Sequence, residues 1–413
     1  MRISTNMIYD KGVGSMQRQW SDLLHTQQQL STGRRVLTPA DDPIAASRAL
    51  EIGQSQGVNS QFMTNTGYAE DRLKLLENKL TGVDDTLQYI REKTVAAGNG
   101  IYKEEDLGYL ATDLRAQFDS LLALANSQDG TGDYLFSGYR SNVQPFSGSV
   151  AGVSYAGDYG TQTIQVSASR YMPVSLPGSD IFTATREVND DLVAALTGEH
   201  TDGTANTGDA SLTGTLAPLA DGSIDMDKLG RRYEIVYNDP AGYDVYEYEP
   251  GNPDRVTIAT GLTDLTSLAD PTSANYIGVN LAVSGTPGDG DRFEVFVSSN
   301  NMFDNLGLLI DSMERPGPSG MAGGAVAVGL DNLDGALENI LKVRAQVGSQ
   351  LTETESLQSL GSDLNLQYSE VISGLVDVDY VDAISRLSQQ QTYLQAAQQS
   401  FMRVSNLSLF NYL

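Results

Sequence analysis

The sequence predicts an α+β multidomain chain in which two helical ends enclose an inserted antiparallel β domain. Three observations carry this. Residues 1–130 and 301–413 repeat apolar side chains at spacings of three and four, the helical period. Residues from about 131 to 300 are rich in Gly, Asp, Tyr and Thr and alternate with period two. The ends match each other better than either matches the middle, as in a chain that leaves along one helical bundle, builds an insert and returns. At roughly 100–200 residues per domain, 413 residues hold about two to four domains.

The bundle helices come first. Leu73, Leu76, Leu80, Val83, Leu87 and Ile90 alternate spacings of three and four, and Leu107, Leu110, Leu114, Phe118 and Leu121 nearly repeat them. On the return, Leu333, Leu337, Ile340, Val347 and Leu351 do the same with Arg344 intruding. Leu357, Leu360 and Leu364 resume in shifted phase. These rows predict an antiparallel core in which 70–125 packs with 330–365. A single helix over 330–370 would be ~60 Å long at 1.5 Å per residue.

The two extreme ends carry weaker seams. Val13, Met16, Trp20, Leu23, Gln27 and Leu30 form one; Tyr380, Ile384, Leu387, Gln391, Leu394, Gln398 and Phe401 form the other. An amide at a core position weakens packing but fixes register and partner when it is hydrogen-bonded. Isolated helices of this length are marginal in water, so the ends are expected to pair with each other and with neighbouring subunits. Leu387, Leu394 and Phe401 are expected to face Val13, Met16, Trp20 and Leu23.

In the middle, Ile277, Val279, Leu281 and Val283 face one way, and Phe293, Val295 and Val297 follow after SGTPGDGD, which predicts a hairpin. Tyr233, Ile235 and Tyr237 pair with Tyr243 and Val245 across NDPAG. The outer faces of these strands read as polar.

Charge narrows the function. The chain has 53 acidic and 26 basic side chains, a net charge of −27, which argues against nucleic acid as a partner. Residues 180–300 hold 21 acidic and 6 basic side chains, whereas 1–50 hold 4 and 6 and 371–413 hold 3 and 2. Nearly neutral, amphipathic ends can be buried against copies of themselves without stacking like charges. With no cysteine, the chain has no disulfide, thiolate nucleophile or cysteine-ligated metal. Asn6, Asp10 and Lys11 interrupt the start MRISTNMIYDKGVG, so no secretory signal peptide is expected there. No window approaches the ~20 apolar residues of a membrane span, so membrane insertion is not expected either.

Catalytic patterns are few. Gly53-Gln54-Ser55-Gln56-Gly57 fits a nucleophile elbow, but that needs a preceding strand. LTPADDPIAASRALEI instead reads as a helix start, with Asp41 or Asp42 at the cap and Pro43 in the first turn. Only His200, in TGEHTDGTANTG, is placed to act as a base. Gly12-Val13-Gly14 is followed by Gln17 where a dinucleotide fingerprint has its third glycine. Asp225, Asp227 and Gly230 copy part of a calcium loop, with Leu229 and Val236 at ligand positions. Asp289 and Asp291 are either an irregular cation site or a solvated turn. Glu247 and Glu249 mimic a glycosidase pair or line an exposed strand face. No catalytic residue and no cofactor or metal site is predicted.

Four separated segments, in order, carry a resemblance. LTPADDPIAASRAL (Leu37 to Leu50), after STGRRV, resembles the entry to the conserved domain of the flagellin family. NSQDGTGDYLFSGYRSNVQPF (Asn126 to Phe146), RAQVGSQL (Arg344 to Leu351) and SLFNYL (Ser408 to Leu413) resemble its hook-associated branch. The similarity spans about 1–180 and 300–413; within the insert, SGTPGDGDRFEVF resembles a hairpin shared among hook-associated proteins. The resemblance implies a rod-shaped structural subunit, not an enzyme. Its domains would be a terminal coiled coil (1–45 with 371–413) forming an inner tube, a helical bundle with a β-hairpin (46–179 with 301–370), and an acidic outer β domain (180–300). It implies secretion through the flagellar export apparatus and a place at the hook–filament junction. The implied partners are the hook-side hook-associated protein, flagellin filament subunits, further copies of itself and a cytosolic export chaperone. Val13, Met16, Trp20, Leu23, Leu30, Ile384, Leu387, Leu394 and Phe401 are the expected assembly surface. A filament flagellin is the alternative, and a secreted acidic carbohydrate-binding module or hydrolase a more distant one.

Overall fold

The computed structural model describes residues 5–99, 102–198, 204–248, 252, 254–315 and 324–406. The chain divides into two compact units, Met1–Thr66 with Ser356–Leu413, and Gly67–Glu355. The division cuts through two very long helices. Helix α1 spans Thr5–Thr32, α2 Pro43–Ala97, α3 Glu104–Ala125, α4 Gly178–Phe182, α5 Met302–Glu314, α6 Gly324–Val376 and α7 Tyr380–Asn406. The sequence reading of α2's start holds: the Asp42 side chain accepts the Ala45 amide at 3.0 Å, as an N-cap does, and Pro43 is the first helical residue. Gly53–Gly57 lies inside this helix, with Ser55 Oγ donating back to the Glu51 carbonyl at 3.2 Å, so no elbow exists.

In the larger unit the predicted row of α2 is buried throughout, from Leu73 to Ile90. Two neighbouring rows need correction. Ala111 and Ala336 are buried where Leu110 and Leu337 were expected, and those leucines are only half-buried. A small residue lets two helices approach closely, and a search for large apolar side chains passes over it. Arg344 is not an intrusion. Its guanidinium reaches from α6 to Glu77 at 2.8 Å and Asp84 at 2.7 Å on α2, while Arg91 of α2 pairs with Asp334 of α6 at 2.6 Å. These pairs set an antiparallel register.

The segment Asn126–Phe146 forms the hub beside these helices. Asp129 accepts the Thr131 amide at 2.8 Å, the Asp133 amide at 3.1 Å and the Thr131 hydroxyl at 2.6 Å, and pairs with Arg72. Burial alone would raise its carboxyl, but these donors outweigh it and hold the pKa at about 2. Phe146 packs its ring 5.2 Å from Phe182 and 5.5 Å from Phe303, and Phe303 meets Phe118 of α3 edge-on at 5.7 Å. Two hairpins stand here: β1 (Phe146–Ser149) with β2 (Gly152–Tyr155), and β3 (Thr163–Ser167) with β4 (Arg170–Pro173).

The insert contains β5 (Val193–Thr197), β6 (Ser211–Leu216), β7 (Arg231–Asn238), β8 (Gly242–Tyr248), β9 (Val256–Leu262), β10 (Val279–Ser284) and β11 (Arg292–Val297). Five strands form an antiparallel sheet in the order β5-β11-β7-β8-β9, and β6 pairs with β10. The hairpin across NDPAG is present, with Tyr237 opposite Tyr243. The hairpin expected across SGTPGDGD is not: β10 and β11 pair with other strands. Asp291 shows why. It is buried and accepts the amides of Thr207 at 2.8 Å, Gly208 at 3.0 Å and Gly288 at 2.7 Å, so it ties this loop to a segment far back in the chain. The row Ile277, Val279 and Leu281 does point into the core, with Tyr233, Ile235, Val245, Phe293, Val295 and Val297.

Candidate assembly surface

The smaller unit brings the two chain ends together. α1 and α7 pack along their length. A Cβ on Gly12 would stand 3.0 Å from the Phe401 ring, and one on Gly33 would stand 3.1 Å from the Tyr380 hydroxyl, so the helices run antiparallel. That register puts Leu394 level with Gln19 and Leu387 level with Thr26. The joint at the end of the pair is closed by hydrogen bonds. Gly33, at φ +73°, ends α1 and accepts the Val378 amide at 2.9 Å, and the Arg35 amide donates to Val376 at 2.7 Å. The Arg35 guanidinium caps the end of α6 through the Leu375 carbonyl at 2.7 Å and pairs with Asp42 at 3.0 Å. His25 sits 3.1 Å from Asp41. The Thr38 amide holds the Asp41 carboxyl below its usual range, helped by the Leu37 amide and His25. The Ala45 amide, then Arg35, does the same for Asp42.

The structure splits the predicted seam residues into two sets. On α7 the row facing α1 is Ala383, Leu387, Gln390, Leu394, Ala397 and Phe401, a strict four–three repeat whose members are all buried or half-buried. On α1 the matching row is Gly12, Met16, Gln19, Leu23, Thr26 and Leu30. Met16, Leu23, Leu30, Leu387, Leu394 and Phe401 therefore face inward. Val13 (40% exposed), Trp20 (52%) and Ile384 (57%) do not; they sit on the outside, with Gln27, Gln391, Gln398 and Tyr380. The expected packing of Leu394 on Val13 and Trp20 is corrected to packing on the Met16–Leu23 row. The reason is geometric. Each helix carries an apolar arc wide enough for two overlapping four–three rows that share every second position, and the larger side chains drew attention to the outer one. The residues missed are small or polar, among them Gly12, Ala383 and Ala397; only their spacing could have found them. On α6, Leu360 is exposed rather than in a seam, and Leu357 and Leu364 are half-buried.

The other candidate sites have structural duties. Asp225 caps the 3₁₀ turn Met226–Lys228 by accepting the Asp227 amide, and Glu247 pairs with Arg231 at 3.1 Å. Asp289 accepts the Asp239 amide at 2.9 Å. Gly12-Val13-Gly14 lies within α1. His200, Glu249 and the SLFNYL segment lie outside the described residues. Among the described residues, no group of three or more His, Cys, Asp or Glu side chains is placed to hold a metal ion, and no helix is long and apolar enough to cross a membrane.

Paired terminal helices, a helical bundle and an antiparallel β insert, in this chain order, define a flagellin-type subunit. The signature of the bacterial flagellin N-terminal helical region matches residues 3–141, and that of the C-terminal helical region matches residues 330–413. Flagellar hook-associated protein 3 of Salmonella typhimurium is 31% identical, and that of Escherichia coli 30%, each over 99% of both chains. The crystal structure of FlgL from Xanthomonas campestris superposes with a TM-score of 0.52 at 25% identity, covering 78% of this chain and 99% of that one. The chain belongs to the flagellin family, in its hook-associated protein 3 branch.

Proposed function

We propose that this chain is a structural subunit of the bacterial flagellum that joins hook to filament and assembles through its terminal helices. The observation that carries the reading is the uncovered row on the helix pair. Val13, Trp20 and Ile384 remain exposed after α1 and α7 have paired, at positions where each helix could continue a coiled coil with another chain. We assign residues 1–45 and 371–413 to assembly, 46–179 and 301–370 to the supporting bundle, and 180–300 to an outer domain. The partners in this reading are a hook-side hook-associated protein, flagellin subunits and further copies of the chain, with a cytosolic chaperone before export to the junction. The acidic insert, with 21 acidic against 6 basic side chains, suits a surface that stays in solvent. Of the residues that suggested catalysis, Gly53–Gly57 is helical and Glu247 is paired with Arg231.

The test is Trp20→Asp in cells carrying it as the sole copy. The helix content of the purified subunit should be unchanged, because Trp20 is half-exposed, while filaments per cell fall sharply and flagellin appears in the medium. Normal filament numbers would overturn the assignment of this row.

A further inference from the structure

The five-stranded sheet has two unlike faces. One feeds the apolar core of the insert. The other presents Arg232, Glu234 and Val236 on β7, Arg292, Glu294 and Phe296 on β11, and Tyr246 and Tyr248 on β8. Arg232, Glu234 and Glu294 are each at most 1% exposed. Glu234 and Glu294 stand directly opposite each other across adjacent strands, an arrangement that repels unless cations intervene. The arginines take the diagonals. Arg232 donates to Glu294 at 2.7 Å and Arg292 pairs with Glu234, whose other oxygen accepts the Tyr248 hydroxyl at 2.8 Å and Arg255 at 2.6 Å. A sheet selected for stability alone would carry apolar residues here, since desolvating these ions is costly.

The charged layer continues into α5. Arg232 donates its second amino group to the Arg315 carbonyl at 2.8 Å and lies 3.6 Å from Asp311, which itself pairs with Arg315. A cation at this position meets the partial negative charge of a helix C-terminus. The Arg232 and Arg315 guanidinium groups lie 4.6 and 5.2 Å from the centre of the Tyr248 ring. At its other end α5 is fixed in the aromatic hub through Phe303, which packs on Phe118, Phe146 and Phe182. The apolar core of the insert, by contrast, contains no α5 residue. Folding of the insert and its attachment to the bundle thus use opposite faces of one sheet.

We propose that the buried charge layer is an orientation lock: it fixes the direction in which the β insert projects from the bundle by bonding the sheet to the last turn of α5. Apolar contact tolerates sliding and rotation, whereas diagonal ion pairs and directed hydrogen bonds are made in one arrangement and lost in others. The lock acts on geometry, independently of what the chain assembles with.

The absence of cysteine makes the test clean. Spin labels on Ser120→Cys in α3 and Thr260→Cys in β9, both exposed positions, report the distance between bundle and insert in the full chain. The otherwise unaltered chain should give one narrow distance distribution. Replacing the pair by apolar residues, Arg232→Met with Glu294→Leu, should keep the thermal unfolding of the insert and at least double the width of that distribution. Asp311→Asn with Arg315→Ala, made on α5 and outside the insert's core, removes the charges that hold Arg232 while leaving its bond to the Arg315 carbonyl, and should broaden it to a smaller but measurable extent. A distribution as narrow as the parent's in the α5 variant would overturn the proposal, whether or not the sheet variant folds. So would a narrow distribution in a folded sheet variant.

Discussion

Leu394 and Ile384 lie on the same helix ten residues apart, and changing each to aspartate separates packing within the subunit from packing between subunits. Leu394 is 7% exposed against α1, whereas Ile384 is 57% exposed. Removing a buried leucine forfeits about 2–3 kcal/mol, and placing an unpaired carboxylate in its stead adds roughly 2–3 kcal/mol more. A two-helix pair with glutamine and threonine in its seam has no such reserve. Leu394→Asp should therefore open the α1–α7 pair in the isolated subunit. The same change at Ile384 should alter stability by less than about 0.5 kcal/mol, as at other exposed positions. Far-UV circular dichroism at 222 nm reads the difference, because α1 and α7 comprise 28 and 27 residues. Leu394→Asp should lose helix signal and Ile384→Asp should not, while both abolish filament attachment. Full helix content in Leu394→Asp would refute the inward row. Normal filaments in Ile384→Asp would refute the outward one.

Acid should weaken the Asp129 staple. Its pKa is depressed to about 2, so its contribution of about 2 kcal/mol is complete above the unfolded value near 4 and fades as pH falls toward 2. The melting gap between parent and Asp129→Asn should be wide at pH 7 and close by about pH 2; a gap independent of pH would refute this. Arg344→Ala strands Glu77 and Asp84 on α2, and after allowance for partial exposure should cost about 1–3 kcal/mol by calorimetry, with Arg344→Lys restoring only part. No loss would mean that the apolar row alone sets the α2–α6 register. The insert should also be removable. The Ser298 amide donates to the Leu192 carbonyl at 2.8 Å, so a short glycine linker can replace 193–297 without moving the flanking chain. This cut spares Phe182, which belongs to the hub. The shortened chain should still support filaments, and loss of motility with normal export of a folded bundle would show a structural duty for the insert.

What the sequence made legible was periodic and local. The Leu73–Ile90 row, the Asp42–Pro43 helix start and the NDPAG hairpin each depend on neighbours within a few turns, and each appears as read. What stayed hidden depends on distant partners. The turn SGTPGDGD has the residues of a hairpin, but Asp209 accepts the Thr286 amide at 2.7 Å and Asp291 holds Thr207 and Gly208, so the loop closes on a segment some 80 residues earlier. The alternation around Tyr233 and Ile235 identified the core face of β7 and suggested a solvated opposite face. Glu234 and Arg232 are polar, as the pattern says, but they are buried, because α5 and β11 arrive with the complementary charges. Alternation reports which residues share a face, not what covers it. The terminal helices make the same point with finer spacing. Rows beginning at Gly12 and at Val13 share Met16, Leu23 and Leu30, so these three belong to the seam whichever row faces the partner helix. Deciding between the alternates turned on whether glycine and alanine permit contact, as Gly12 does for Phe401. The larger alternates, Val13, Trp20 and Ile384, are thereby left exposed, as the proposed assembly role requires. An apolar arc broader than one partner can cover is what a helix needs if it must pair within its own chain and then again within an assembly.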